Sequence, residues 1–164
     1  MLNGQEIGTT FLSQARLHLK NDFLPKIQRC FDLLNENDIW WRSHDTNNSI
    51  GNLALHLAGN VRQWIISGVG GEPDVRERQK EFAQREALPK EKLLSALVSA
   101  VEGSDQVLAN FPVERLMEKK VIQGFNQTTL QAIFHVVEHF SFHTGQIIYI
   151  TKLRKGIDLK FYNL

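Results

Sequence analysis

Apolar residues recur every three or four positions over four long stretches of this chain, and polar or charged connectors separate them. In the first stretch Phe11, Leu12, Leu17, Leu19, Phe23, Leu24, Ile27, Phe31 and Leu34 keep that spacing. It predicts a helix capped by Thr9 or Thr10 and ending near Asn35. Pro25 falls inside the run, but the pattern continues on the same face beyond it, which predicts a kink and not two separate helices. The second stretch opens at Ser49, a good N-cap, carries Ile50, Leu53, Leu57, Val61, Trp64 and Ile65, and closes at Gly68, Gly70 and Gly71. The third has Pro89 in its first turn and a stripe of Leu93, Leu94, Leu97, Val98, Val101 and Leu108 that ends near Asn110-Phe111-Pro112. The fourth begins at a capping box, Thr128-Thr129-Leu130-Gln131. Leu130, Ile133, Phe134, Val137, Phe140, Ile147 and Ile150 carry it to Lys152 or Arg154, and Gly156 stops it.

The connectors differ in character. Asn35 to Asn48 reads as a polar loop pinned to the core by Ile39, Trp40 and Trp41. Glu72 to Glu86 places nine charged side chains in fifteen positions, which predicts an exposed helical connector with Arg76, Arg78, Glu81 and Phe82 its most suggestive members. Pro112 to Gln127 is irregular, with a short extended piece at Lys120 to Ile122. Four long helices with almost no strand signal predict an all-α, up-down four-helix bundle with longer connectors, in a single domain over residues 1–164. That length buries a continuous core without disulfides or structural metal.

Charge and composition narrow the function classes. Nineteen Lys and Arg against eighteen Asp and Glu leave a net charge of +1, too little to attract a polyanion, so nucleic acid is not an expected partner. No apolar run reaches membrane length, and the polar stretch from Met1 to Phe11 lacks the basic and apolar regions of a leader, which predicts a cytoplasmic protein without membrane contact. The one cysteine, Cys30, lies between Ile27 and Phe31 and reads as a small buried hydrophobe.

Histidine is where the chemistry shows. Of His18, His44, His56, His135, His139 and His143, the last three fall within nine residues of the fourth helix. Residues at i and i+4 lie on one helix face with Cβ atoms about 5–6 Å apart, so His135 with His139, or His139 with His143, can converge on one ion. All three cannot, because residues eight apart are separated by about 12 Å along a helix axis. His56 is the natural third ligand, on the flank of the second helix that joins Leu53, Leu57 and Asn60. Spacing alone leaves open the other reading, in which these histidines are hydrogen-bonded core groups.

The segments Asn48-Ser-Ile-Gly-Asn-Leu-Ala-Leu-His-Leu-Ala-Gly-Asn-Val-Arg-Gln-Trp64 and His135-Val-Val-Glu-His-Phe-Ser-Phe-His-Thr-Gly-Gln-Ile147, in that order and separation, resemble the DinB (YfiT-like) superfamily of metal-dependent enzymes. The closest likeness is to a subgroup of unassigned function. It extends from the first helix to Leu153 and includes Trp40-Trp41-Arg42 and the connector from Asp74 to Phe82. The resemblance implies a four-helix bundle with a divalent metal on three histidines, here His56, His139 and His143, and a homodimer. Relatives usually follow the last histidine with a basic residue, Gly and Gln; Thr144 departs from that form, so no positive charge is expected beside the metal.

Three neutral imidazoles suit zinc or nickel first, with iron, cobalt or manganese as alternatives, and leave a position open for water or substrate. Two reaction classes follow for a small-molecule substrate: hydrolysis, or transfer of a low-molecular-weight thiol. Glu138 is a poor general base, because it points about 100 degrees away from His139 around the helix. Asn60, Gln63, His135 and Gln146 are expected to support the ligands or touch substrate, and Arg76 and Arg78 to meet a substrate carboxylate if the connector folds over the site. The rival reading is a noncatalytic module in which the metal only ties two helices together for dimerisation or partner binding.

Overall fold

A computed structural model describes residues 3–161; Met1 and Leu2, the start of the polar N-terminal stretch, lie outside the described residues. Helices α1 (Gly4–Arg16) and α2 (Leu24–Leu33) form one long rod joined by a π-helical segment, Leu17–Phe23. The widened turns directly precede Pro25, whose missing N–H and bulky ring exclude an ordinary i to i−4 bond; the helix continues past the proline through this π-helical segment, as one element and not two. The rod starts earlier than the apolar pattern suggests. Asn3 accepts from the Glu6 amide and Glu6 reaches back to the Asn3 amide, a capping box ahead of Thr9 and Thr10.

After a single helical turn, α3 (Glu36–Ile39), the chain enters α4 (Ile50–Val61), which Ser49 caps together with Asn52. A second π-helical segment, Arg62–Val69, extends α4 to Gly70. A short α5 (Arg78–Ala83) lies in the charged connector, and α6 (Lys90–Ala109) and α7 (Thr129–Lys155) complete the bundle. Gly156 ends α7 at φ +64°, the left-handed conformation that a C-terminal glycine supplies.

The irregular stretch before α7 holds more order than sequence suggests. Strand β1 (Lys119–Ile122) pairs antiparallel with β2 (Phe125–Thr128), Ile122 opposite Phe125, around a turn in which Gln123 and Gly124 both have positive φ. Phe-Asn-Gln-Thr shows no alternation of apolar and polar residues, which is why only β1 was legible.

In the bundle, α4 packs against α6 and α7, α6 against the α1–α2 rod, and α2 against α7. The fully buried core includes Ile27, Leu57, Val61, Ile65, Leu97, Val101, Ile133, Phe140 and Ile147, drawn from all four long helices. At its edge Asp38, 4% exposed, ties the loop after the rod to the end of α7 through Arg154 and Lys155, at 2.9 and 2.6 Å. No helix among the described residues is long and apolar enough to cross a membrane.

Candidate metal centre

Helices α4 and α7 face each other, and across that contact His56 meets His139 and His143. His56 Nε2 lies 3.0 Å from His139 Nε2, which lies 3.2 Å from His143 Nε2. The three ligand atoms all fall within 4.8 Å of one another, and no Asp, Glu or Cys joins them.

The tautomers follow from the outward-facing nitrogens. His56 Nδ1 is 2.9 Å from Glu81 Oε2, which only accepts, and 3.1 Å from Arg76 Nη2, which only donates; because Nη2 already donates to Glu81 Oε2 at 2.8 Å, we assign the Nδ1 proton to the shorter contact, donated to Glu81. His143 Nδ1 donates to Gln146 Oε1 at 2.7 Å. Both assignments leave Nε2 as a lone pair aimed at the centre. His139 Nδ1 is buried without a partner among the described residues. One proton on His139 Nε2 satisfies a single neighbouring lone pair and leaves the other facing it unpaired, whereas a cation meets all three. Two nitrogens about 2.0–2.1 Å from one ion at the tetrahedral angle lie about 3.3 Å apart, close to the spacings here. The residues therefore fit a divalent ion.

Electrostatics disfavour protonation of both α7 ligands. The His139 imidazole is held down to about 3, first by burial, then by the charges of His143, His56, His135 and Arg76. Burial likewise lowers His143, against the hydrogen bond to Gln146. Neutral imidazole is the form that ligates.

The connector closes over one side of this cluster. Arg76 and Glu81 have side chains only 3% and 11% exposed. Arg76 Nε donates to Glu81 Oε1 at 2.7 Å, Nη2 to Glu81 Oε2 at 2.8 Å, and Nη1 to Gln63 Oε1 at 2.9 Å. Gln63 in turn donates to Asp74 at 2.6 Å and accepts from Gln123 of the hairpin turn. The Phe82 ring covers His56 at 4.5 Å between centroids. Gly59 makes this closure possible, since a Cβ there would fall on Glu81 Oε1 and within 2.9 Å of Arg76 Nε. Burial opposes ionisation of Glu81, but Arg76 and His56 outweigh it and hold the carboxyl below its usual range.

The residues singled out in the sequence thus fall in different places. Gln63 and Arg76 belong to a network reaching His56 through Glu81, and Gln146 holds His143. Arg76 gives its guanidinium to protein acceptors, not to an open site. Arg78 stays exposed, 4.9 Å over the Phe82 ring. His135 stands one turn from His139 with its ring 4.5 Å from Trp64, outside the triad. Asn60 is buried on α4 with Oδ1 unpartnered among the described residues. Glu138 is exposed, and Thr144 is buried with its hydroxyl on the Phe140 carbonyl at 2.7 Å, so it brings no charge. His44 is exposed, and His18 stacks on Phe23 away from the cluster. Glu81 as the partner of His56, and Gln123, were not legible as site residues: 25 and 67 positions from His56, neither shares a helix face with it.

Comparison with known proteins agrees with this architecture. A family model described as "Protein of unknown function (DUF1572)" matches residues 6–163. The chain belongs to this family. Among solved structures it is similar to a DinB-like protein from Bacillus cereus, at 14% identity and a TM-score of 0.65, over 86% of this chain and 91% of that one. At that identity the likeness shows the fold, which is DinB-like. No curated protein sequence matches the chain.

Proposed function

We propose that this DUF1572 protein is a metal-dependent enzyme whose centre is the triad of His56, His139 and His143, and that it transfers a low-molecular-weight thiol to a small electrophilic substrate. The observation that carries the reading is the convergence of three Nε2 atoms with two of the three imidazoles fixed from behind, by Glu81 and Gln146. Such outer partners orient a ligating histidine and raise its basicity. A core of this size needs no metal staple, which favours a reactive centre over a purely structural one.

A divalent ion held by these three imidazoles would supply Lewis acidity, lowering the pKa of a bound thiol or water. Thiol chemistry is the better match because free general bases are missing among the described residues at the cluster. Both oxygens of Glu81 are engaged by His56 and Arg76, and Glu138 is exposed. Hydrolysis requires a group to take the proton of water, whereas a thiol is already close to ionisation near neutral pH. The protein's own contribution is to hold three imidazoles oriented, and to keep Phe82 and the Arg76–Glu81 pair against His56.

Zinc or nickel is the proposed ion. The reading is tested with cobalt-substituted protein titrated with a small thiol such as 2-mercaptoethanol. A thiol-dependent change in the cobalt spectrum, absent in His143→Ala, is expected; an unchanged spectrum together with ester hydrolysis by the zinc form would replace transfer by hydrolysis.

A further inference from the structure

Beside the triad lies a cavity of about 600 Å³, within the size range of small-molecule sites. Its walls are the loop carrying Trp41 and Arg42, Leu53 of α4, and the α7 face that presents Phe142, Gln146 and Tyr149. It borders the triad through two of its lining residues, which stand against His143. Gln146 lines it while accepting the His143 Nδ1 proton, and the Phe142 ring is 5.2 Å from that of His143.

Arg42 gives the cavity its chemistry. Nη2 donates to two neutral oxygens, Asn52 Oδ1 at 3.0 Å and Ser49 Oγ at 3.4 Å, and Nε is buried with no acceptor among the described residues. Among the described residues no carboxylate forms an ion pair with it, in contrast to Arg76, Arg115 and Arg154. Burial and then Arg85 disfavour its charge, and Asp45 opposes them incompletely. A half-buried guanidinium with only neutral partners is a fork waiting for a planar anion. Ser43 and Asn48 add neutral polar groups and no second cation to the lining, which suits a monoanionic carboxylate better than a phosphate dianion.

The opposite wall is aromatic and open. Phe142 and Tyr149 are 65% and 69% exposed, large rings left to water on the cavity's rim. Gly145 lies between them, and a Cβ added there would meet no atom within 4 Å. Glycine inside a helix is unfavourable relative to alanine, and here no packing requires it; its effect is to keep the cavity floor clear.

We propose that this cavity is the substrate subsite of the centre and takes a small organic carboxylate, its carboxylate on Arg42 and its apolar or aromatic body against Phe142 and Tyr149. The proposal rests on the reading of the triad as the reactive centre, and the two are separable by experiment. The full-length chain is titrated calorimetrically with phenylacetate and with its neutral isostere phenylacetamide, and metal content is measured on the same samples. Phenylacetate is expected to bind at least tenfold more tightly than the amide. Arg42→Gln is expected to erase that discrimination. Gly145→Leu, which adds a side chain where the fold leaves room, should block both probes without lowering the melting temperature. Equal affinity for acid and amide, or undiminished binding in Gly145→Leu, overturns the subsite. So does a dimer that excludes the probes and that Tyr149→Glu dissociates. Stoichiometric metal without phenylacetate binding removes the subsite alone, whereas Arg42-dependent binding by a chain that holds no metal removes the metal reading and leaves the carboxylate site.

Discussion

Replacing Glu81 by Gln changes one atom and separates two roles that the carboxylate fills at once. In the native protein Oε2 accepts from His56 Nδ1 at 2.9 Å, and both oxygens accept from Arg76. Glutamine keeps one acceptor oxygen, enough for His56 or for Arg76 but not for both. Losing the carboxylate behind a ligating histidine costs about 10- to 100-fold in metal affinity, or roughly 1.4–2.7 kcal/mol. Leaving Arg76 without its countercharge, 3% exposed, costs on the order of 3 kcal/mol of stability, at the low end for a broken buried pair because Gln63 still accepts from it. For a chain of this length that lowers the melting temperature by about 6–12 °C. Adding Arg76→Gln removes the stranded charge, so the double variant should recover much of the melting temperature while its metal affinity stays low. Competition titration against a chromophoric chelator, beside thermal denaturation, reads the two effects separately. Wild-type metal affinity in Glu81→Gln would refute the argument that this carboxylate sets His56, whatever happens to stability.

Other consequences are equally open to measurement. Gly59→Ala, which touches no ligand, should lower metal affinity severalfold by displacing the Arg76–Glu81 pair, as the same titration would show. His143→Ala should lose metal and His135→Ala should keep it; the reverse pattern in elemental analysis would contradict the pairing of His139 with His143. Because the folded chain holds His139 at about 3 and the unfolded chain takes up that proton near pH 6.5, metal-free protein should lose stability as pH falls from about 6.5 towards 3. A melting temperature flat across that window would refute the assignment. Asp38→Asn should lower stability by about 1–3 kcal/mol with metal content unchanged, by weakening the anchor on Arg154 and Lys155.

The bundle was legible because its signal is local and repeated: apolar residues at helical spacing, an N-cap at Ser49 and a capping box at Thr128 that the structure reproduces. Where sequence misled, a local feature outweighed a weak pattern. The first helix starts at Gly4 although Ile7 is 57% exposed and two glycines flank it, because Asn3 and Glu6 cap it and buried Gly8 leaves room for Val113. The hairpin went half unseen because β2 is polar and its register is set by a Gln-Gly turn. At the site, the histidines announced themselves through i, i+4 spacing. Gln146 behind His143 was also expected to support a ligand, but Glu81 behind His56 was not, because it lies with Arg76 in a charged tract that reads as surface until the closure over Gly59 buries it.

The central claim is that three histidines on two helices hold a metal ion that the fold does not need. The most direct test is elemental analysis of untagged protein, wild type beside His56→Ala, with thermal melts before and after chelation. About one equivalent of metal is expected in the wild type and its loss in the variant, with a cooperative melt retained by the chelated chain. Metal-free wild-type protein, after growth with zinc and nickel supplied, would contradict it and return the triad to the core; unfolding on chelation would make the metal a structural staple instead.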